Sequence, residues 1–321
     1  MNGSLQAKCD QLIRTYDLMK EYEHFEYEHN VMAGAGLFMA ENKEVSIDRI
    51  KACSRIIDAN TGLFSELRGI SKYIIRCKMV LSRSPAVYFD DLERIYRKLK
   101  PGIFSTEGSI LAAMIIADGM DKNEDRLIED TRSIYKQMGE AHRFLTSGND
   151  LPFAAMMAVH GRDIETIHDR AEAAYGLLKG KFKADSDTIQ SLSHILSLYD
   201  KDLKEMCAMV TGINNALKET GYSLSGDGHA AVLGLLVNSG KSVPELTEEI
   251  YEAGNYLKQF APFNSIFGMD KKDRCMYAVL CVQSANDDPE TVSMSAMLSA
   301  TVQLIIVARI RAAAMAAAAA A

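Results

Sequence analysis

The feature that most restricts the fold of this chain is a pattern that returns about every 40 residues. Thr61-Gly62-Leu63-Phe64-Ser65 is matched by Pro101-Gly102-Ile103-Phe104-Ser105, which places two glycines 40 positions apart. Gly180 and Gly221, a further 41 positions apart, continue the spacing. Each glycine follows a helical pattern, so we expect it to close a helix in the left-handed conformation. A period of this length is typical of stacked helical hairpins.

The stretches between these glycines resemble one another. A short apolar segment, as at 110–117, 153–159 and 230–237, leads through a polar turn into a longer segment. In the longer segment apolar residues recur at spacings of three and four, as at Leu92 and Ile95, and charged residues fill the other face. The pattern predicts a buried short helix followed by an amphipathic helix.

The sequence therefore predicts an all-α protein in which tandem helical hairpins of about 40 residues stack as an α/α superhelix-like array. About seven pairs are expected, of which the first and last are 31–40 with 46–60, and 274–283 with 290–310. The predicted domains are an N-terminal helix packed on the array, a single helical-repeat domain and an alanine-rich tail: 1–30, 31–311 and 312–321. The pattern leaves open whether the array is open or closed.

Charge and cysteine usage limit the classes of function and the location. The net charge is −7 and no stretch concentrates Lys and Arg, which disfavours nucleic acid as a partner. The six cysteines form no Cys-x-x-Cys pair, and the N-terminus lacks an apolar segment of the signal-peptide type. We therefore expect a cytoplasmic protein. No cofactor is predicted.

The C-terminal region is unusually poor in charge. From Thr291 to Ala308 there is no charged residue, and Arg309 and Arg311 follow before the alanine-rich end. Eighteen such residues reach the lower limit for a membrane span, but several Ser, Thr and Gln residues dilute them. A final packed helix is favoured, with the arginines near its C-terminus, where cations are stabilised. Membrane attachment through this helix is the weaker alternative.

Three Glu-x-x-His pairs are the first candidates for a metal site. They are Glu21/His24, Glu26/His29 and Glu165/His168. Ferritin-like bundles hold two metals with such pairs. The first two pairs are five residues apart, about 140° around a helix, so they cannot face one site. We interpret them as solvated helix faces and predict no metal site.

Other short motifs are incomplete. Asp90-Asp91 lacks the carboxylate one helical turn on that a magnesium-binding helix needs, because Arg94 occupies that place. Residues 121–132 lack both the glycine and the closing glutamate of a calcium loop. Residues 226–229 contain a Gly-x-Gly without a preceding strand, which favours a capped turn. The glycines and phenylalanines of the junctions are assigned to structure.

The segment from Asn60 to Gly69 (Asn-Thr-Gly-Leu-Phe-Ser-Glu-Leu-Arg-Gly), the apolar hairpins and the alanine-rich end resemble the bacterial domain-of-unknown-function 4003 family. The resemblance covers nearly the whole chain and implies one full-length bacterial domain. Its most specific parts are not catalytic motifs. It therefore supplies no catalytic or cofactor-binding residues.

Two classes of function remain. The favoured hypothesis is a non-catalytic helical-repeat binding or scaffold protein with a protein or peptide partner, since stacked hairpins form extended surfaces. The alternative is an all-α enzyme, or a small-molecule or metal-binding protein, with a site assembled from several repeats. Its first candidate residues are Glu165 and His168 on one side and His194 or His229 on the other. The sequence does not predict the oligomeric state.

Overall fold

The computed structural model describes residues 1–69, 71–100, 106–119, 123–142, 146–161, 163–222, 224, 228–265, 268–287 and 298–310. Throughout these ranges the regular structure is helical and contains no strand, so the chain is an all-α protein. Pro85, Pro152 and Pro244 lie in the first two positions of helices. At these positions the missing proline N–H has no partner to lose.

The helices follow one another with short connections. They are α1 Gly3–Tyr22, α2 Glu28–Ala40, α3 Ile47–Asn60, α4 Lys72–Leu81, α5 Pro85–Leu99, α6 Thr106–Asp118, α7 Glu124–Ala141, α8 Leu151–His160, α9 Ile164–Leu178, α10 Ser186–Ser197, α11 Leu203–Glu219, a 3-10 helix His229–Asn238, α12 Val243–Leu257, α13 Lys271–Asn286 and α14 at 298–310. Short 3-10 turns lie at Glu66–Arg68 and Gly148–Asp150.

Almost fully buried helices alternate along the chain with amphipathic ones. Every residue of α8 from Leu151 to Val159 is buried. In α5, by contrast, Leu92, Ile95 and Leu99 are buried while charged residues occupy the outer face. Each fully buried aliphatic side chain contributes about 1.5–3 kcal/mol. The predicted buried helices at 110–117, 153–159 and 230–237 are confirmed.

The junction glycines differ in their conformations. Gly180 and Gly221 both have a φ of +80°, which confirms the predicted left-handed ends of the helices before them. Gly62 has no positive φ, and a Cβ added to it would contact nothing, so the prediction for Gly62 is wrong. At that junction α3 ends on Thr61 in an extended conformation instead. Gly102 lies outside the described residues.

The N-terminal segment forms two helices where one over residues 4–30 was expected. Helix α1 ends at Tyr22, a short turn follows, and α2 begins at Glu28. Helix α1 also contacts the C-terminal part of the chain: the Met1 ammonium lies 2.6 Å from Glu252, and the Tyr256 hydroxyl donates to Asp10 over 2.5 Å. Residues more than 240 positions apart are thereby joined.

Helices α2 and α4 lie side by side and run in the same direction. Before α2, Glu23 pairs with Arg76 of α4 at 2.7 Å. After α2, the Lys43 ammonium donates to the Leu81 carbonyl at the end of α4 over 2.8 Å. The two helices therefore share a first end, where the turns at 22–27 and 61–68 lie, and a second end, where they terminate.

In the predicted array the second helix of the last pair is amphipathic. Helix α14 is instead buried on all sides. All residues from 298 to 308 are buried. The Gln303 amide donates to the Ala33 carbonyl of α2, and the Ser299 hydroxyl donates to Gln283 of α13. A packed final helix is therefore confirmed over 298–310. The alanine-rich residues 312–321 lie outside the described part of the chain.

Candidate functional site

The four residues proposed for a catalytic constellation do not form a single site. Glu165 is exposed and His168 half-buried on α9. His194 is buried in α10, whereas His229 contacts Asp273. Burial lowers the pKa of His194 to about 3, and Arg309 and His168 add repulsion between positive charges. His168 therefore lies close enough to lower the pKa of His194. His229 instead contacts Asp273.

That contact is a buried carboxylate held by two imidazoles. Asp273 at the start of α13 lies 3.0 Å from Nε2 of His29 and 3.1 Å from Nε2 of His229. Burial alone would raise the pKa of Asp273, but the hydrogen bonds to His229 and His29 outweigh it and hold the pKa well below its usual range. The solvated-face interpretation of His29 is therefore wrong, because its side chain is 13% exposed and bonded inward.

A second buried polar cluster surrounds Arg309 at the end of α14. Its guanidinium lies 2.8 Å from Asp150 and donates to the Ser191 hydroxyl over 2.7 Å. It also lies over the Phe153 ring, 5.6 Å from the centroid. Gly228 lies against this guanidinium, which would be 2.8 Å from an added Cβ, and its φ of +78° favours glycine.

The buried carboxylates of Asp150 and Asp273 both have hydrogen-bond partners. Burial raises the pKa of Asp150, and Arg309 only partly offsets this effect. Within the described ranges, no group of three His, Cys, Asp or Glu residues is arranged to hold a metal ion. All six cysteines are free and buried, and burial raises the pKa of Cys77 to about 12. A nucleophilic thiolate is not favoured by that environment.

Five of the eight large apolar side chains exposed in the described ranges lie on or beside the turns at the first end of α2 and α4. We call them the junction surface, and they are Tyr22, Phe25, Tyr27, Leu63 and Phe64. Phe25 and Phe64 are fully exposed and Leu63 is 82% exposed. Burying each would contribute about 1.5–3 kcal/mol, so their exposure is costly unless a partner covers them.

The turn that presents Leu63 and Phe64 is held by side chains on both sides of it. Arg68 donates from Nε to the Thr61 hydroxyl over 2.7 Å and from Nη2 to the Asp58 carbonyl over 2.6 Å. The Thr61 hydroxyl donates to the Ile57 carbonyl over 2.6 Å. The backbone between Thr61 and Arg68 is thus fixed while Leu63 and Phe64 point away from the protein.

The turn that carries Phe25 is fixed in a similar way. The Glu23 carboxylate pairs with Arg76 at 2.7 Å. The Glu26 carbonyl accepts from Lys20 over 2.7 Å, and its carboxylate accepts from Asn30 over 2.7 Å. No hydrogen bond depends on the Phe25 side chain, which leaves its ring available for contact.

The junction surface has an acidic border. Residues 20–28 contain four glutamates and one lysine, a net charge of −3 with neutral histidine. Beside the second turn, a groove of about 370 Å³ lies between Phe64 and α5. Its floor includes Glu66, which bonds to Tyr96 and Lys100. The Phe25 turn therefore combines an exposed ring with negative charge, whereas Arg97 and Lys100 line the groove beside Phe64 together with two glutamates.

The sequence did not distinguish this surface from the other junctions. Phe64, Phe182 and Phe263 all occupy junctions, and all were assigned to structure. Phe182 and Phe263 are buried, as expected, but Phe64 is exposed and the assignment is wrong there. In the sequence a junction phenylalanine looks the same whether it is buried or exposed. Phe64 differs from Phe182 and Phe263 because its turn follows a different path.

The described helices include none with both the length and the apolar character that a membrane span needs.

No solved structure matches the chain. One curated relative is the "Uncharacterized protein YeaA" of Bacillus subtilis (strain 168), which is 23% identical over 213 residues. The match spans 64% of this chain and 64% of the length of that protein.

The family comparison covers far more of the chain. The model described as "Protein of unknown function (DUF4003)" matches residues 15–311, which include all the helices from α2 to α14. The resemblance noted from the segment between Asn60 and Gly69 is thereby confirmed. The chain belongs to the DUF4003 family.

Proposed function

We propose that this protein is a non-catalytic helical-repeat binding module that docks an amphipathic protein segment with basic side chains on its junction surface. The observation that carries the proposal is the full exposure of Phe25 and Phe64 on turns fixed by hydrogen bonds. Rigid aromatic side chains are frequent anchors of protein interfaces, because little conformational entropy is lost when they bind.

The proposal includes a closed arrangement of the hairpins. Its support is that α1 contacts α12 through Asp10 and Tyr256, while α2 and α13 meet at His29 and Asp273. Alternating buried and amphipathic helices would then form an inner and an outer layer, with α14 against the inner one. Closure would hold the turns of neighbouring hairpins in a fixed relation, which suits a preorganised docking surface.

Charge favours a basic protein segment over a lipid surface. The acidic residues around Phe25 attract Lys and Arg side chains. The same residues repel anionic lipid headgroups, which attract polybasic segments rather than acidic ones. The apolar rings therefore fit a partner with an apolar stripe flanked by positive charge.

The test uses an 18-residue helical peptide with Leu on one face and Lys on the other, and a counterpart with Glu in place of Lys. We expect saturable binding of the Lys peptide by fluorescence anisotropy, weaker at high salt, and at least tenfold weaker for Phe64→Ser or Phe25→Ser. The matched control is Val87→Ser, which alters an exposed apolar residue on α5. Affinity for the Lys peptide that is unchanged in both Phe variants would refute the proposal, as would preferred binding to phosphatidylglycerol vesicles.

A further inference from the structure

A cavity of about 470 Å³ lies at the second end of α2 and α4, away from the junction surface. It is lined by the residue after α2, the end of α4, the first turn of α5 and the end of α6: Glu41, Lys78, Leu81, Ser82, Arg83, Tyr88, Ala117 and Asp118. Side chains from several helical elements converge there, as in a typical ligand pocket. The number of polar groups in its lining is unusual for an empty packing defect, because empty cavities are apolar.

The wall of the cavity carries an ion pair between a buried lysine and a partly exposed aspartate, whose side chains are 7% and 21% exposed. The Lys78 ammonium lies 2.6 Å from Asp118 and 3.9 Å from Glu41. Burial would lower the pKa of Lys78, but the two carboxylates outweigh it and raise that pKa, while burial raises the pKa of Asp118. Lys78 is therefore a charged ammonium, and Asp118 presents an acceptor beside it.

Tyr88 adds a hydroxyl to the same wall. Its side chain is buried, and its hydroxyl lies within reach of the Asp118 carboxylate. Burial and the nearby charge of Asp118 raise the pKa of Tyr88 well above its ordinary value, so it stays a neutral phenol. A ligand hydroxyl inserted between Tyr88 and Asp118 would accept from the phenol and donate to the carboxylate.

Arg83 supplies a cation at the mouth of the cavity. It is exposed, and in the described part of the chain it makes no ion pair or side-chain hydrogen bond. Lys43 binds Glu41 at 2.8 Å from outside the cavity. Lys43 thus neutralises Glu41 and Lys78 neutralises Asp118, which leaves the positive charge of Arg83 to bind an anion. The site therefore favours a monoanion.

We propose that this cavity binds a small hydroxycarboxylate monoanion. The carboxylate of the ligand would pair with Arg83, whose guanidinium matches a planar carboxylate with two parallel hydrogen bonds. A ligand hydroxyl would donate to Asp118 and accept from Tyr88. An ammonium group would satisfy Asp118 but would have no lone pair for Tyr88, so a hydroxy acid fits better than an amino acid.

This inference does not depend on partner binding at the junction surface, because it concerns a different set of residues at the opposite ends of the same helices. The cavity also differs from a purely structural ion pair in one respect that can be measured. A structural pair between Lys78 and Asp118 predicts no ligand, whereas a binding site predicts saturation that depends on Arg83 and Tyr88.

The test is titration of the full chain with D-glycerate and 3-hydroxybutyrate by isothermal calorimetry or by NMR shift changes. Butyrate lacks the hydroxyl and glycerol lacks the carboxylate, so both serve as ligand controls. We expect at least one hydroxycarboxylate to saturate the protein at millimolar concentration, with butyrate and glycerol at least tenfold weaker.

Variants locate the binding. Arg83→Ala, at an exposed position, should weaken hydroxycarboxylate binding at least tenfold, and Tyr88→Phe should remove the preference over butyrate. Arg126→Ala, an exposed arginine on α7, is the matched control and should bind like the wild type. Equal melting temperatures of Arg83→Ala and the wild type establish that the fold is intact. Lack of saturation by both hydroxycarboxylates, or saturation unaffected by Arg83→Ala, would overturn the proposal.

Discussion

Replacing Arg309 by Met removes one partner of an ion pair that joins α14 to the start of α8. The guanidinium lies 2.8 Å from the Asp150 carboxylate, and the two side chains are 12% and 3% exposed. The other Asp150 oxygen already accepts from the Ser147 backbone amide over 2.8 Å. Met preserves much of the aliphatic length of Arg309, so the substitution chiefly tests charge.

The expected loss follows from the burial of Asp150. Removing one partner of a buried pair leaves the other charge uncompensated, which costs about 3–5 kcal/mol. For a chain of this size one kcal/mol corresponds to about 2 °C, so the melting temperature should fall by roughly 6–10 °C at pH 7. Arg126→Met provides the comparison, because that arginine is 80% exposed and should contribute less than about 1 kcal/mol.

The loss should depend on pH with a definite sign. Burial raises the pKa of Asp150 and Arg309 lowers it, so the variant raises that pKa further. A carboxyl with a raised pKa in the folded state opposes folding when ionised, and this penalty disappears as pH falls below the folded value. The difference in melting temperature between wild type and Arg309→Met should therefore be smaller at pH 4.5 than at pH 7.

Thermal unfolding followed by circular dichroism at the two pH values measures both effects. Adding Asp150→Asn to Arg309→Met removes the uncompensated charge and should restore part of the stability at pH 7, a non-additive result expected of paired residues. A melting temperature of Arg309→Met within 1 °C of the wild type at pH 7 would refute the ion-pair reasoning. A loss equal at both pH values would show that packing, not charge, is responsible.

Two further predictions concern the packing of the helices. Asp273→Asn should cost about 2–3 kcal/mol at pH 7. The pKa of Asp273 is lowered in the folded protein, so the ionised carboxylate stabilises the fold above about pH 4 and this stabilisation is lost as pH falls. Between pH 5 and 3 the melting temperature of Asp273→Asn should therefore decline less steeply than that of the wild type. Gly234→Ala should lower the free energy of unfolding by about 1–3 kcal/mol, since the added Cβ would lie 2.6 Å from Ile195 Cγ2. Gly62→Ala should leave the melting temperature unchanged, because a Cβ there would contact nothing. Equal melting temperatures for the two glycine variants would contradict the packing described here.

Local patterns predicted the helices that are buried all round. The apolar run in α8 leaves no polar face, so a helix there must be covered by neighbours whatever their arrangement. The glycines at 180 and 221 were equally predictable, because a left-handed residue after a helix favours glycine. Both features depend on residues within one or two helical turns of each other, so they can be predicted from the local sequence.

The turn between α1 and α2 was not predictable on that basis. Residues 21–28 alternate Glu with aromatic and His residues, all of which a helix tolerates. The helix is interrupted because the Glu26 carbonyl bonds to Lys20 and Glu23 pairs with Arg76 on α4. Tertiary contacts thus override a weak local preference, and the same contacts expose Phe25.

The same limit explains why the histidine and carboxylate candidates misled a search for catalytic groups. Asp273 and His29 are 244 positions apart, and Asp150 and Arg309 are 159 apart. A sequence shows that such residues exist but does not pair them. Once paired and buried, an acid, a base and a cation stabilise one another and have little capacity left for a substrate. In the described part of the chain, groups with unused capacity include the exposed rings of Phe25 and Phe64 and the guanidinium of Arg83, none of which belongs to a recognisable catalytic motif. A search for function in this chain is therefore better directed at residues whose interactions are incomplete than at residue types that are common in active sites.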